Sequence, residues 1–94
     1  MKVSEAYESA IEILDKRGWC RWAFESVDGR VCAEGALIHA TTVDVGLSAY
    51  SAAINWHMKL FGEPLNAYND LSQSVAEVRD RMMACAKAAR DRGE

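Results

Sequence analysis

The predicted fold depends on residues 19–32, WCRWAFESVDGRVC, because the spacing of hydrophobic residues changes there. Cys20, Trp22 and Phe24 alternate with smaller or charged residues, which is the period of a half-buried strand. Asp28-Gly29 follows, a dipeptide typical of hairpin turns because glycine tolerates positive φ. We therefore predict a β-hairpin over residues 20–32. An isolated hairpin is only marginally stable in water, so its aromatic side chains are expected to pack on helices.

The sequence on both sides of this stretch has the spacing of amphipathic helices, with hydrophobic residues at i, i+3, i+4 and i+7. Helices are predicted over residues 3–17, 33–41, 47–61 and 74–91. Residues 41–46 are expected to be a loop, and residues 65–74 a connector. The predicted class is α+β, mainly helical, with about four helices and the hairpin inserted after the first, in a single domain over residues 1–94. The expected core contains Tyr7, Leu14, Trp22, Phe24, Leu37, Ile54, Val78 and Met82.

Composition and charge exclude several classes of protein. Half of the 94 residues are hydrophobic and 27% are charged, which is typical of a globular domain rather than a disordered chain. A net charge of −3 gives no basic surface for a phosphate backbone, so nucleic acid is not an expected partner. No apolar run approaches the ~18 residues that a membrane-spanning helix needs, and no membrane association is expected.

The cysteines indicate a reducing compartment. The chain has three cysteines, Cys20, Cys32 and Cys85. An odd number of widely spaced cysteines is not the pattern of a disulfide framework. The acidic residues within positions 1–17 argue against a signal peptide. A cytoplasmic location is therefore expected.

The candidate catalytic residues are Cys32, His39 and His57. Cys32 precedes a predicted helix, whose N-terminus can lower the pKa of a thiol. His39 follows seven residues later, roughly 10 Å along a helix axis, and is too far from Cys32 to act as a direct base. His57 could approach Cys32 only if the tertiary fold brings the two together. A small buried thiol is the simpler interpretation.

Other ligand-binding patterns are weaker still. The cysteines and histidines have none of the spacings that usually build zinc sites, and no phosphate-binding glycine motif is present, so neither a metal nor a cofactor is expected. Asn69 and Asp70 fall in a polar stretch. The sequence leaves open whether this pair is functional or only forms turn and cap hydrogen bonds.

The predicted helices carry more hydrophobic surface than a small monomer can easily bury. Within 47–61, one hydrophobic stripe lies almost opposite another, and the last helix is apolar around much of its circumference. The second stripe either packs within the monomer or forms an interface. The candidate interface residues, chosen because aromatic residues and methionine are enriched at interface centres, are Trp56, Leu60, Tyr68 and Met83.

Several short motifs give the chain a resemblance to a known group of proteins. They are Gly18-Trp19, Asp28-Gly29-Arg30, Cys32-Ala33-Glu34-Gly35-Ala36-Leu37, Asn69-Asp70 and Glu77-Val78. In this pattern the chain resembles a family of small uncharacterised proteins of actinobacteria and their phages, over roughly residues 10–89. It departs from the family pattern at Tyr68, where a tryptophan is usual, and at Glu34, where a small or apolar residue is usual.

The resemblance implies a phage or prophage accessory protein and transfers no catalytic role. The expected function is a non-enzymatic interaction module that binds a host protein and that can also self-associate. One alternative is a thiol-dependent enzyme that uses Cys32 with a histidine. Another is an inert or structural monomeric domain.

Overall fold

The computed structural model describes residues 1–42 and 48–94, which contain five helices and no β-sheet. The helices are α1 (Val3–Arg17), α2 (Ala33–Thr41), α3 (Ser48–Phe61), α4 (Leu65–Leu71) and α5 (Val75–Asp91). The mainly helical prediction is confirmed, whereas the α+β class and the count of four helices are wrong. Residues 43–46 of the predicted loop and Leu47, the predicted start of the third helix, lie outside the described residues.

The core forms around α1, which packs against both α2 and α5. The described residues make a compact globular body of 34 × 27 × 19 Å. The helical spacing of α1 places Tyr7 and Leu14 on its buried face, and the Tyr7 hydroxyl donates a hydrogen bond of 2.6 Å to the carbonyl oxygen of Ala53 on α3. Five of the predicted core residues are fully buried: Tyr7, Leu14, Leu37, Val78 and Met82. Ile54 is half-buried and packs against the edge of this core.

The predicted hairpin over residues 20–32 is wrong. Val31 instead pairs with Trp19 in parallel and with Glu25 in antiparallel orientation, each through one isolated bridge. Trp22 is 71% exposed and Phe24 is 52% exposed, so neither belongs to the core. We call residues 19–32 the aromatic loop.

The backbone of the aromatic loop pairs only at isolated positions, and the N–H in the middle of the first predicted strand has a partner outside the loop. The N–H of Trp22 donates to the side chain of Asp70 on α4 rather than to a neighbouring strand. Trp22 also has φ of 71°, outside the extended region that a strand requires. Contacts with α4 therefore override the local alternation of hydrophobic residues.

Helix α4 occupies most of the predicted connector and begins directly after Pro64, its N-cap. Proline has no N–H to donate, and its fixed φ suits the start of a helix. The buried Glu34 of α2 holds α4 in place, because one carboxylate oxygen accepts the N–H of Asn66 at 3.0 Å. The other oxygen of Glu34 accepts a hydrogen bond of 3.0 Å from the Tyr50 hydroxyl. Burial, together with the negative charge of Glu34, raises the pKa of Tyr50 to about 12. One side chain thus joins α2, α3 and α4.

None of the helices within the described ranges combines the length and the hydrophobicity that crossing a membrane requires.

Candidate functional site

Asn69 holds the aromatic loop against the helices. Its side chain is fully buried on α4. The amide oxygen accepts the indole N–H of Trp19 at 2.8 Å and the backbone N–H of Ala33 at 3.0 Å. The amide nitrogen donates to the carbonyl oxygen of Cys20 at 3.2 Å and to Oδ1 of Asp70 at 3.1 Å. All four hydrogen-bonding positions of the amide are therefore used, and they join the start of the loop to the start of α2.

Asp70 extends this contact to the exposed part of the loop. Its Oδ1 accepts the backbone N–H of Trp22 at 2.9 Å. Trp22 has φ of 71°, a left-handed conformation that costs roughly 1–2 kcal/mol in a residue with a side chain. Since its indole is 71% exposed, burial of the ring does not offset that cost. We call Asn69 and Asp70 the clamp.

Behind Trp22 lies a cleft of about 230 Å³, which we call the aromatic cleft. Its walls come from the aromatic loop, the start of α2 and α4. They are formed by Trp22, Ala23, Phe24, Cys32, Asn66 and Asp70. Val27, further along the loop, is fully exposed. The lining of the cleft therefore combines hydrophobic groups with one carboxylate, that of Asp70.

Gly35 allows the loop to lie directly on α2. A Cβ atom at this position would stand 2.0 Å from the carbonyl oxygen of Phe24. That oxygen accepts the N–H of Cys32 at 3.1 Å, the hydrogen bond that ties Phe24 to the start of the helix. Only glycine permits this backbone approach without displacing the loop.

Five of the residues that carry the resemblance shape or hold the aromatic loop, namely Gly18, Trp19, Gly35, Asn69 and Asp70. A family model matches residues 1–88 of the chain, nearly its whole length. The chain belongs to DUF6197, a family of unknown function. No curated protein and no solved structure has detectable similarity to it. This family membership agrees with the predicted resemblance to a family of uncharacterised proteins.

Cys32 of this DUF6197 protein is buried at the start of α2. It is the N-cap of α2, is 2% exposed, and its sulfur accepts the N–H of Gly35 at 3.3 Å. Burial raises the pKa of Cys32, although the hydrogen bond from Gly35 partly offsets this. A nucleophilic thiol needs the opposite shift, because the thiolate is the reactive form. The pKa values of Cys20 and Cys85 are also raised, in both cases chiefly by burial.

His39 lies in an ion-pair cluster on the surface rather than beside a thiol. Its Nε2 is 2.8 Å from Oε1 of Glu25 and 2.8 Å from Nη1 of Arg17. Arg17 also pairs with Glu25 at 3.2 Å. These contacts hold the pKa of Glu25 below its ordinary value, the hydrogen bond with His39 contributing most.

His57 is fully buried and has separate partners. Its Nδ1 lies 2.9 Å from the carbonyl oxygen of Glu63, and its Nε2 lies 3.3 Å from Nη1 of Arg81. Burial holds the pKa of His57 below its ordinary value of 6.5, and the positive charge of Arg81 lowers it further. A neutral ring fits both contacts, since Nδ1–H donates to the carbonyl and Nε2 accepts from the guanidinium. The Arg81 guanidinium also lies 3.8 Å from the ring centre of Phe61 and 3.7 Å from that of Tyr68.

The four candidate interface residues do not occupy one environment. Trp56 is 5% exposed, and its indole N–H donates to the carbonyl oxygen of Cys85 at 3.0 Å, so it belongs to the core. Tyr68 is half-buried against Arg81. Leu60 and Met83 are exposed on α3 and α5, respectively.

Across residues 1–42 and 48–94, no three His, Cys, Asp or Glu side chains converge into a group that could hold a metal ion. The sequence missed the aromatic cleft because Trp22 and Phe24 were assigned to the core. The signal that could have indicated the site is Asn69-Asp70, whose role the sequence left open. For Asn69 the structure shows four hydrogen bonds, all to other groups of the same chain, so its side-chain amide is fully used in holding the loop.

Proposed function

We propose that this protein is a non-enzymatic protein-binding module, encoded by a phage or prophage, that binds a host protein in the cytoplasm through the aromatic loop. The observation that carries the proposal is the position of Trp22, an exposed indole on strained backbone that the clamp fixes from behind. The phage context is supported only by the resemblance described above.

An exposed aromatic side chain on a fixed backbone is well suited to recognition. Tryptophan is enriched among the residues that contribute most to protein interfaces, and a backbone that is ordered before binding loses less entropy when the complex forms. The surrounding groups fit the same role, because Phe24 is half-exposed and Val27 is fully exposed on the same loop. A host protein is the occupant proposed for this surface. A second copy of the chain is the alternative that the experiment distinguishes.

The experiment compares Trp22→Gly with Met83→Ala. Glycine suits the φ of 71° at position 22, so Trp22→Gly removes the indole without adding strain. Met83→Ala removes an exposed hydrophobic residue on α5 and serves as the control. A partner captured from an actinobacterial lysate would be identified, purified and titrated against each variant. We expect Trp22→Gly to weaken binding at least about 30-fold, the effect of a hot-spot residue, and Met83→Ala to have little effect.

Two results would contradict the proposal. If Met83→Ala weakens the complex and Trp22→Gly does not, the binding surface lies on α5 rather than on the aromatic loop. If sedimentation shows a dimer that Trp22→Gly dissociates, and no host protein binds, the occupant is a second copy of the chain.

A further inference from the structure

We propose that the aromatic cleft binds one cationic side chain, a lysine or an arginine, of the protein partner. This inference rests on the proposed function and adds the chemistry of the contact. The groups that line the cleft, the hydrogen-bonding capacity of Asp70 and the size of the space support it.

The lining combines the two kinds of group that attract a cation. Trp22 and Phe24 contribute aromatic rings, whose faces attract ammonium and guanidinium groups. Asp70 contributes a carboxylate. The thiol of Cys32, the other ionisable group in the lining, is neutral at physiological pH because burial raises its pKa. The charge of the lining is therefore negative and comes from Asp70 alone.

Asp70 retains an acceptor for such a ligand. The hydrogen bonds that the structure shows for this carboxylate both use Oδ1, at 2.9 Å from the N–H of Trp22 and 3.1 Å from the amide nitrogen of Asn69. Oδ2 takes part in neither. A guanidinium or ammonium group can donate to Oδ2 while the clamp stays intact.

The basic residue next to Trp22 in the sequence, Arg21, has partners outside the cleft. Arg21 donates to the carbonyl oxygen of Ser72 at 3.2 Å, and its guanidinium lies 5.5 Å from the ring centre of Trp19. Trp19 and Ser72 are not among the residues that line the cleft. The chain's net charge of −3 also favours a cationic ligand over an anionic one.

The size of the cleft favours one side chain over a free metabolite. Its volume of about 230 Å³ is smaller than the range of about 300–1,000 Å³ typical of small-molecule sites. A single side chain of a docked protein needs less space, since the remaining contacts lie outside the cleft. The exposed parts of Trp22 and Phe24 are available for those contacts.

The test is an NMR titration of the full chain, following the indole resonance of Trp22. The probes are the Nα-acetyl methylamides of arginine and lysine, with that of citrulline as the neutral match for arginine, all at constant ionic strength. We expect saturable shifts with the two cationic probes, with dissociation constants on the order of 10–100 mM for one isolated side chain, and no saturable shift with citrulline.

Asp70→Asn is the decisive variant, because asparagine keeps Oδ1 for the N–H of Trp22, while it removes the charge and replaces the acceptor Oδ2 with an amide NH2 donor. We expect it to weaken binding of the arginine probe about threefold or more. Asp80→Asn removes the same charge from an exposed position on α5 and is expected to leave binding unchanged. Equal shifts with citrulline and arginine, or an unchanged affinity in Asp70→Asn, would overturn the inference.

The inference and the proposed function fail in different ways. If a partner protein depends on Trp22 but binds Asp70→Asn as tightly as it binds the wild type, the interaction module stands and the cation site is refuted. If the arginine probe binds as expected but no protein partner depends on Trp22, the cation site stands and the module is refuted.

Discussion

Replacing Asn69 with alanine tests whether the clamp determines the structure of the aromatic loop. The substitution leaves the N–H of Ala33 and the carbonyl oxygen of Cys20, both in buried residues, without their partner. Each buried polar group left unsatisfied costs about 1–3 kcal/mol. Alanine returns at most about 0.5 kcal/mol through helix propensity. The half-buried indole of Trp19 can turn to water and adds little.

The net expectation is a loss of about 2–5 kcal/mol in the free energy of unfolding. That is a large fraction of the roughly 5–14 kcal/mol expected for a chain of 94 residues. Urea denaturation followed by circular dichroism measures this quantity. Asn66→Ala is the matched control, because it alters an exposed side chain of the same helix and keeps the backbone N–H that Glu34 accepts. It should change stability by no more than about 0.5 kcal/mol.

Hydrogen exchange shows whether the loss arises in the loop. The amides of Cys20 and Val31 donate to Val31 and Gly18, respectively, and these bonds hold the two ends of the loop together. Asn69→Ala should speed their exchange much more than Asn66→Ala does. A stability loss below about 1 kcal/mol, or unchanged exchange at both amides, would refute the role assigned to the clamp.

Three separate measurements test the close packing at Gly35, the backbone at Trp22 and the buried ring of His57. Gly35→Ala should lower the free energy of unfolding by about 2–3 kcal/mol, because the added Cβ would lie 2.0 Å from the Phe24 carbonyl oxygen. A loss under about 0.5 kcal/mol in urea denaturation would show that the loop can move away from α2. Trp22→Gly should be more stable than Trp22→Ala by about 1 kcal/mol, because only glycine is unstrained at this φ; equal stabilities would argue against backbone strain. His57 has a pKa below 6.5 when folded, so the unfolded chain binds its proton first on acidification and stability should fall as the pH drops below about 6.5. His57→Gln should remove that part of the pH dependence, and identical pH profiles of the two proteins would contradict the buried neutral ring.

The helices with a clear hydrophobic period were predictable from the sequence. The bounds of α1 and α2 equal the predicted ranges. Helix α1 buries one face and ends at Gly18, whereas α2 is buried around most of its circumference. Helix α4 was not predictable in this way. It has seven residues, two of them buried, and one of those is Asn69, so no hydrophobic stripe marks it. Pro64 disfavours helix in the residue before it, but it is also the N-cap of α4.

The aromatic loop could not be predicted because its conformation depends on residues about 50 positions away. Alternation shows which residues share one side of a strand, but it does not show which side faces the core. The N–H of Trp22 has a partner in Asp70, and no local pattern in residues 19–32 indicates that partner. The positive φ of Trp22 has no local signal either, since glycine and asparagine are the residues that usually adopt it.

The contrast between Asn69 and Trp22 separates the structural part of this site from the part that needs a functional explanation. Asn69 is buried and fully hydrogen-bonded, and such a satisfied polar group fixes one arrangement of the surrounding backbone. Trp22 gains no comparable stabilisation, because its side chain is mostly in solvent and its backbone is strained. Glycine would satisfy the backbone at this position at lower cost. The proposed contact of the indole with a partner would account for a tryptophan at this position, which is why an observed backbone outlier supports a hypothesis of function.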